Sequence, residues 1–501
     1  MALIVGAPMP VGLGAGVVAP WPLTPFRLWA SALVLAVVGC LACWHAQAAA
    51  LPQAFKQSLV DAGIPLSAVA VFAQRLDRDV PRLSVNAGKP FNPASAIKLV
   101  TTLAALEILG PAYTWRTQVW ADGPWTGDVL RGDLALRGEG DPYFTPERLW
   151  QLLYGVRARG IRHIAGDVVL DASRFAAPSA DRGDFDGRPH RAYNALPYAL
   201  SLNFQAVHLT VEPDVRNKRL RVWSYPPLDN LRVLNNAKVV DRPCSNRYRS
   251  PAVHVGRRDD LPTVALSGRM SAACDEMVYG YLVNTPHEQM AGAFRAIWRQ
   301  LGGVLSGRVR AGAVADAARL VNAMDSRPLT DVVWGVNKFS NNLMARHLLL
   351  TLAAEGGQTP ATAASGVERV RSWLRRSGID ASGLVLANGS GLSRETRITA
   401  DALGRILMAA YRGPRMPEFM ASLPVVGVDG TMRQRLADHP VAGRAHIKTG
   451  SINQVSAMGG YVIDRHDRRW AIVAMINHPR IRQRGMPAQD ALLTWLFDGA
   501  P

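Results

Sequence analysis

Three short segments stand in a fixed order along the 501 residues: Ser95-Ala96-Ile97-Lys98, Ser340-Asn341-Asn342 and Lys448-Thr449-Gly450. A fold that uses them together must bring segments hundreds of residues apart into one site. The first opens an apolar run ending near Leu109-Gly110, which reads as a loop followed by a helix with Ser95 in its first turn. Residues three apart share a helix face, so the Lys98 amine can reach the Ser95 hydroxyl. Backbone amides at the helix start favour negative charge developing there. The Lys448 segment lies in strand-like surroundings, with a further strand at Trp470 to Asn477 after a turn at Asp464 to Asp467. Such an edge suits an extended substrate, with Lys448 and Thr449 on its carboxylate and Gly450 letting the backbone approach. Ser-x-Asn recurs at Ser84, Ser201 and Ser451, so order and context alone select Ser340.

The lysines sharpen this reading. Of 57 basic residues seven are lysines: Lys56, Lys89, Lys98, Lys218, Lys238, Lys338 and Lys448. Arginine stays protonated in proteins, whereas a buried lysine can lose its proton and act as a base. Lys98 and Lys448 fall in motifs that need an amine, and Lys338 lies beside the third.

Together the elements are similar to the SxxK, SDN and KTG set of penicillin-recognising enzymes. From about Leu51 to the C-terminus the chain resembles low-molecular-mass penicillin-binding proteins of the D-alanyl-D-alanine carboxypeptidase/endopeptidase type with a large insertion. The segments Gly138-Glu139-Gly140-Asp141-Pro142, Gly166 to Asp171, Leu200 to Phe204 and Asn388-Gly389-Ser390-Gly391-Leu392-Ser393-Arg394 carry the resemblance further. Ser95 and Ser340 lie 245 residues apart, far more than compact β-lactamases place between these motifs, which implies an inserted region. Asn341 and Asn388 stand where the family usually has Asp.

The resemblance implies a serine-type D-Ala-D-Ala carboxypeptidase or D,D-endopeptidase acting on peptidoglycan stem peptides and inhibited by penicillin. Ser95 would be the nucleophile and Lys98 its base. Ser340 would relay the proton, Asn342 would hold Lys98 and the substrate amide, and Lys448 would act beside them. Thr449, Gly450, Ser451, Arg394, Asn453 and Asp171 are the candidate substrate-binding residues, with the Ser95 and Ser451 amides as the oxyanion hole. The chemistry calls for no cofactor, and the scattered histidines form no metal-ligand pattern. The alternatives are a β-lactamase, a non-catalytic peptidoglycan-binding protein and, more distantly, a nucleic-acid binder.

The expected fold class is α/β (α+β): a serine β-lactamase/transpeptidase-like catalytic domain with an antiparallel sheet between helices. Residues 51–115 and 285–501 should form this discontinuous domain. Residues 116–284 read as short β segments between Gly, Pro and Asp turns, an inserted, mostly β region of one or two subdomains. Helical patterns are expected at Glu288–Leu301, Asp331–Ala353, Ala364–Arg376, Ala400–Tyr411 and Ala488–Phe497.

Residues 1–50 carry one charge, Arg27, then an apolar run from Leu28 to Cys43 and the small-x-small Ala46-Gln47-Ala48. This reads as a signal peptide with an atypical leader, cleaved near Ala48 for export to the periplasm. A lipoprotein signal at Cys40 is the rival reading. Cleavage leaves Cys244 and Cys274, an even pair in an oxidising compartment and hence an expected disulfide. The remaining chain has a net charge of about +17, the full +18 less Arg27, which suits an anionic partner such as peptidoglycan. No zinc finger, RNP aromatic pattern or dense basic run points to nucleic acid. Peripheral membrane association is left open.

Overall fold

The computed structural model describes residues 51–481 and 485–500. The signal-peptide reading of residues 1–50 lies outside them. Five strands form the central sheet: β1 (Val69–Arg75), β2 (Leu83–Val85), β3 (Ala445–Ile452), β4 (Val455–Ile463) and β5 (Arg469–Asn477). They lie in the order β2-β1-β5-β4-β3 and every pair is antiparallel. In β5 the residues from Trp470 to Ile476 are all buried, so both faces of the sheet are covered. The alternating pattern of a half-solvated strand is therefore missing from it.

One face carries α1 (Lys98–Leu109), which is buried from Lys98 through Leu106 and so lacks a polar stripe along that length. Leu99, Val100 and Leu103 share a core with Phe72, Leu348 and Leu403. The other face is covered by helices Gln53–Asp61 and Gly485–Phe497, the latter tied to β4 by a Gln489 to Ser456 hydrogen bond of 3.1 Å. An antiparallel sheet between helical layers is the architecture that the motif order implied.

The helix expected at Asp331–Ala353 is two helices, α2 (Leu329–Phe339) and α3 (Asn342–Ala354). Ser340 breaks the run by adopting a left-handed conformation, φ 57° and ψ 36°.

The inserted region also departs from expectation. Strands Arg116–Asp122, Asp133–Gly138 and Val168–Asp171 continue into Val309–Ala311 on one side and Arg319–Asp325 on the other. Residues to 325 thus complete its sheet, and the boundary expected at 285 moves to about Ser326. Two helices, Pro146–Ala158 and Pro286–Gln300, pack on that sheet through Leu149, Leu153, Phe294 and Trp298, so it is less purely β than expected. A second five-stranded sheet, with Val207–Asp214 and Arg219–Tyr225 at its centre, has its own core around Val207, Leu209 and Val264.

Cys244 and Cys274 are disulfide-bonded beside this second sheet, closing a loop of 30 residues. Replacing both by alanine is expected to destabilise the protein by about 3.5 kcal/mol on the chain-entropy account. A fall in the urea midpoint of a probe placed in this sheet would report it. Among the described residues no helix is long and apolar enough to cross a membrane.

Candidate active site

Ser95 sits in a 3-10 turn, Ala94–Ile97, immediately before α1, and Lys98 is the first residue of that helix. The turn is held under constraint. Ala94 has φ 44°, a region that residues with a Cβ rarely adopt. Buried Asn92 fixes it, its Oδ1 accepting from the Ala94 amide at 2.8 Å and its Nδ2 donating to the Ser393 carbonyl at 3.0 Å. Asn477 in turn exchanges two hydrogen bonds with the Asn92 backbone.

Lys98 is fully buried and its Nζ has three neighbours: Ser95 Oγ at 2.9 Å, Asn342 Oδ1 at 2.7 Å and the Ser390 carbonyl at 2.5 Å. The Asn342 amide is oriented by its other end, since Nδ2 donates to the Tyr193 carbonyl at 3.0 Å. Two of the neighbours can therefore only accept from Lys98. A neutral amine has two N–H groups and one lone pair, so with both hydrogens committed its lone pair is left for the Ser95 hydroxyl proton. Burial, then the cations Lys448 and Arg346, hold the Lys98 amine well below the ordinary lysine pKa.

Lys448 approaches from β3. Its Nζ lies 3.0 Å from Ser340 Oγ and 2.7 Å from the Thr449 carbonyl, and burial pushes its pKa down to about 7. The left-handed turn at Ser340 brings that hydroxyl to Lys448, and Asn341 caps α3 by accepting from the Met344 amide at 3.0 Å. The middle position of this motif is thus a helix cap, a role that Asn fills as well as Asp. Asn388 likewise orients the turn behind Lys98, accepting from the Ser390 amide and hydroxyl while its own Nδ2 donates to the Leu392 carbonyl.

Gly450 packs against the nucleophile. A Cβ there would stand 2.4 Å from the Pro93 carbonyl oxygen and 2.7 Å from the Ser95 amide nitrogen. The close approach expected of this glycine is made to the Ser95 turn itself.

The first half of β3 is covered on its outer side: the Ile447 amide donates to Pro424 O and the Val426 amide to Ala445 O. Lys338, also buried, anchors this cover by donating to the Leu423 carbonyl and to Asp429 Oδ2, each at 2.6 Å. Among the described residues no backbone bond extends the cover past Ile447. Beyond it Thr449 meets the Thr431 hydroxyl at 3.0 Å, and Ser451 is exposed.

Arg394 and Asn453 form one unit at the end of this edge. The exposed guanidinium donates to the Asn453 carbonyl at 3.0 Å and lies 4.9 Å over the Phe185 ring. Asp171 is elsewhere: its buried carboxylate accepts from the Ser173 and Val314 amides inside the inserted sheet, with Arg137 at 3.9 Å. The expectation that it binds substrate is corrected, because its oxygens hold a loop. Ser390, Arg346, Tyr193 and Asn92 are functional neighbours that motif reading missed. Among the described residues no group of three or more His, Cys, Asp or Glu could hold a metal.

A model of the D-Ala-D-Ala carboxypeptidase 3 (S13) family matches residues 51–496. The chain belongs to this family. Among its relatives, the D-alanyl-D-alanine carboxypeptidase of Actinomadura sp. (strain R39) is 31% identical over 408 residues, spanning 76% of this chain and 72% of the relative. The D-alanyl-D-alanine carboxypeptidase DacB of Haemophilus influenzae is 26% identical over 386 residues, 77% of this chain and 80% of that one. The fold matches the crystal structure of penicillin binding protein 4 (dacB) from H. influenzae with a TM-score of 0.74 and 23% identity, over 88% of this chain and 99% of the other. The resemblance read from the motifs is therefore upheld. Family membership makes this chain a serine-type D-Ala-D-Ala peptidase and a hydrolase, in place of the β-lactamase and pure binding-module alternatives.

Proposed function

We propose that this peptidase cleaves the terminal D-Ala-D-Ala bond of peptidoglycan stem peptides through an acyl-enzyme on Ser95, and that the same site takes cross-links as a D,D-endopeptidase. The observation that carries the reading is the lone pair of Lys98, left facing Ser95 Oγ by the two acceptors beside it. Lys98 takes the Ser95 proton as Oγ attacks the D-Ala carbonyl. The carbon–nitrogen bond then breaks, and the leaving amine receives a proton through Ser340 from Lys448, which lie 3.0 Å apart. The proton held by Lys98 passes on to restore Lys448, and Lys98, neutral again, takes a proton from the water that attacks the ester and returns one to Ser95 Oγ as the acyl group leaves. The Ser95 and Ser451 amides stabilise the oxyanion, a contribution of roughly a hundredfold or more per donor.

Thr449, Gly450 and Ser451 line the open edge on which the peptide lies, with Lys448 and Thr449 on its terminal carboxylate. Arg394, positioned by Asn453, faces a second carboxylate of the stem. The disulfide suits an oxidising compartment, and with residues 1–50 read as a cleaved signal the enzyme works in the periplasm.

The H. influenzae protein has been solved in complex with a β-lactam, with a TM-score of 0.70 to this fold. A fluorescent penicillin is accordingly the test. The mature protein should give a long-lived adduct that peptide mass spectrometry maps to Ser95, and it should release D-Ala from a muropeptide. An adduct on another residue, or rapid turnover of the penicillin, would sink the assignment.

A further inference from the structure

Among the described residues Arg346 is a buried cation without a counter-ion. It lies on α3 one turn after Asn342 and is 9% exposed. Its Nη1 donates to the Ala195 carbonyl at 2.6 Å, and its Nε has no partner. Among the described residues it forms no ion pair. Burying an unpaired charge costs stability, which makes a buried, unpaired arginine a candidate for a functional role.

The groups around Lys98 show what it is used for. The nucleophile turn presents a hydroxyl, the Gly389–Gly391 turn a carbonyl, and α3 the Asn342 amide; one turn along α3, Arg346 bonds the Ala195 carbonyl, two residues from the Tyr193 carbonyl that holds Asn342. From β3 comes Lys448. Asp186, in the inserted loop above, is taken up by the Tyr193 hydroxyl and the Asn194 amide. The charges acting on Lys98 are thus two cations, Lys448 and then Arg346.

The two differ in permanence. Burial takes Lys448 to about 7, so its charge comes and goes near neutrality. Arg346 is lowered only to about 10 and stays charged throughout.

We propose that Arg346 is a positioning residue that acts by its charge: a permanent cation behind Lys98 that keeps the base in its neutral form even when Lys448 has lost its proton. This rests on Lys98 being the base for Ser95. A like charge makes protonation of the amine harder, so removing it raises the Lys98 pKa and moves the acid limb of acylation to higher pH.

The experiment is the pH profile of the acylation rate constant with a fluorescent penicillin for the native enzyme, Arg346→Lys, Arg346→Met, Arg346→Gln and Lys98→Met. The Met and Gln variants should shift the acid-limb midpoint up by about one pH unit, which is about tenfold in rate below the midpoint. The Lys variant should keep the native midpoint. Gln can still bond the Ala195 carbonyl, so it removes charge with little change in tethering, and it carries the test alone if the Met variant does not fold. A uniform fall in rate with an unmoved midpoint in Gln and Met would show a merely structural role and overturn the proposal. So would a shift in the Lys variant as large as that in Met. Should Lys98→Met retain the native limb, the failure would lie in the identity of the base, and the proposal would fall with it.

Discussion

Lys98→Met is expected to lower the rate of Ser95 acylation by about a thousandfold or more at neutral pH, within the range typical for loss of a general base. Methionine fills the same space, so α1 and its core should stay packed. What disappears is the lone pair at 2.9 Å from Ser95 Oγ and the two hydrogens that Asn342 Oδ1 and the Ser390 carbonyl accept. Leaving both buried acceptors unsatisfied costs about 1–3 kcal/mol each, visible as a lower melting temperature separate from the kinetic loss. Stopped-flow fluorescence with labelled penicillin measures the rate. Near-native acylation would mean that another group, Lys448 foremost, takes the Ser95 proton.

Gly450→Ala is the second large effect. The new methyl carbon would stand 2.4 Å from Pro93 O and 2.7 Å from the Ser95 and Ala96 amides, all backbone atoms of the constrained turn. Neither side can give way easily, since Asn92 and Asn477 pin the turn and β3 is laddered to β4. Overpacking of this kind typically costs 1–3 kcal/mol, and displacement of a nucleophile by about 1 Å costs about a hundredfold in rate. The variant should fold, with acylation reduced at least a hundredfold while the penicillin still binds noncovalently. A native acylation rate would show that the strand can retreat from Ser95.

The motifs were legible because each is local. Ser95 and Lys98 are three apart whatever the fold, and Lys448 to Gly450 are consecutive. Helices Ala363–Arg376 and Ala400–Arg412 announced themselves through one-sided apolar patterns ending within one residue of the reading. Strand Val168–Asp171 falls inside the stretch read as short β segments.

What was missed is mostly non-local. Val304–Leu305 and Val309–Ala311 are two- and three-residue strands whose partners, His163–Ile164 and Val168–Leu170, lie about 140 residues earlier in two separate sheets, so nothing nearby marks them as part of the inserted region. The Ser390 and Tyr193 contributions are backbone carbonyls, which any residue could supply. At Ser340 the left-handed turn has no glycine to signal it. Helix Pro146–Ala158 is a different case: Pro at its start, Glu147 in the first turn and Leu149, Leu152, Leu153 and Val156 at helical spacing were all visible. Surrounding β segments masked a local signal that was sufficient.

The partial cover on β3 bears on how copies of this protein behave beside one another. A fully open edge strand offers a template on which a second copy can add its own edge, the route to aggregation that sheet proteins must block. Here Pro424 and Val426 occupy the ladder positions at Ala445 and Ile447, and Pro424 itself has no amide to pass the ladder on. The remaining stretch, from Lys448 to Ile452, is long enough to pair with a short peptide. Arg394, bonded to the Asn453 carbonyl, crosses its end, so the template left for a second copy is shorter than the whole strand. The cover that leaves Lys448 to Ile452 open thus also limits how much of the strand a second copy could pair with.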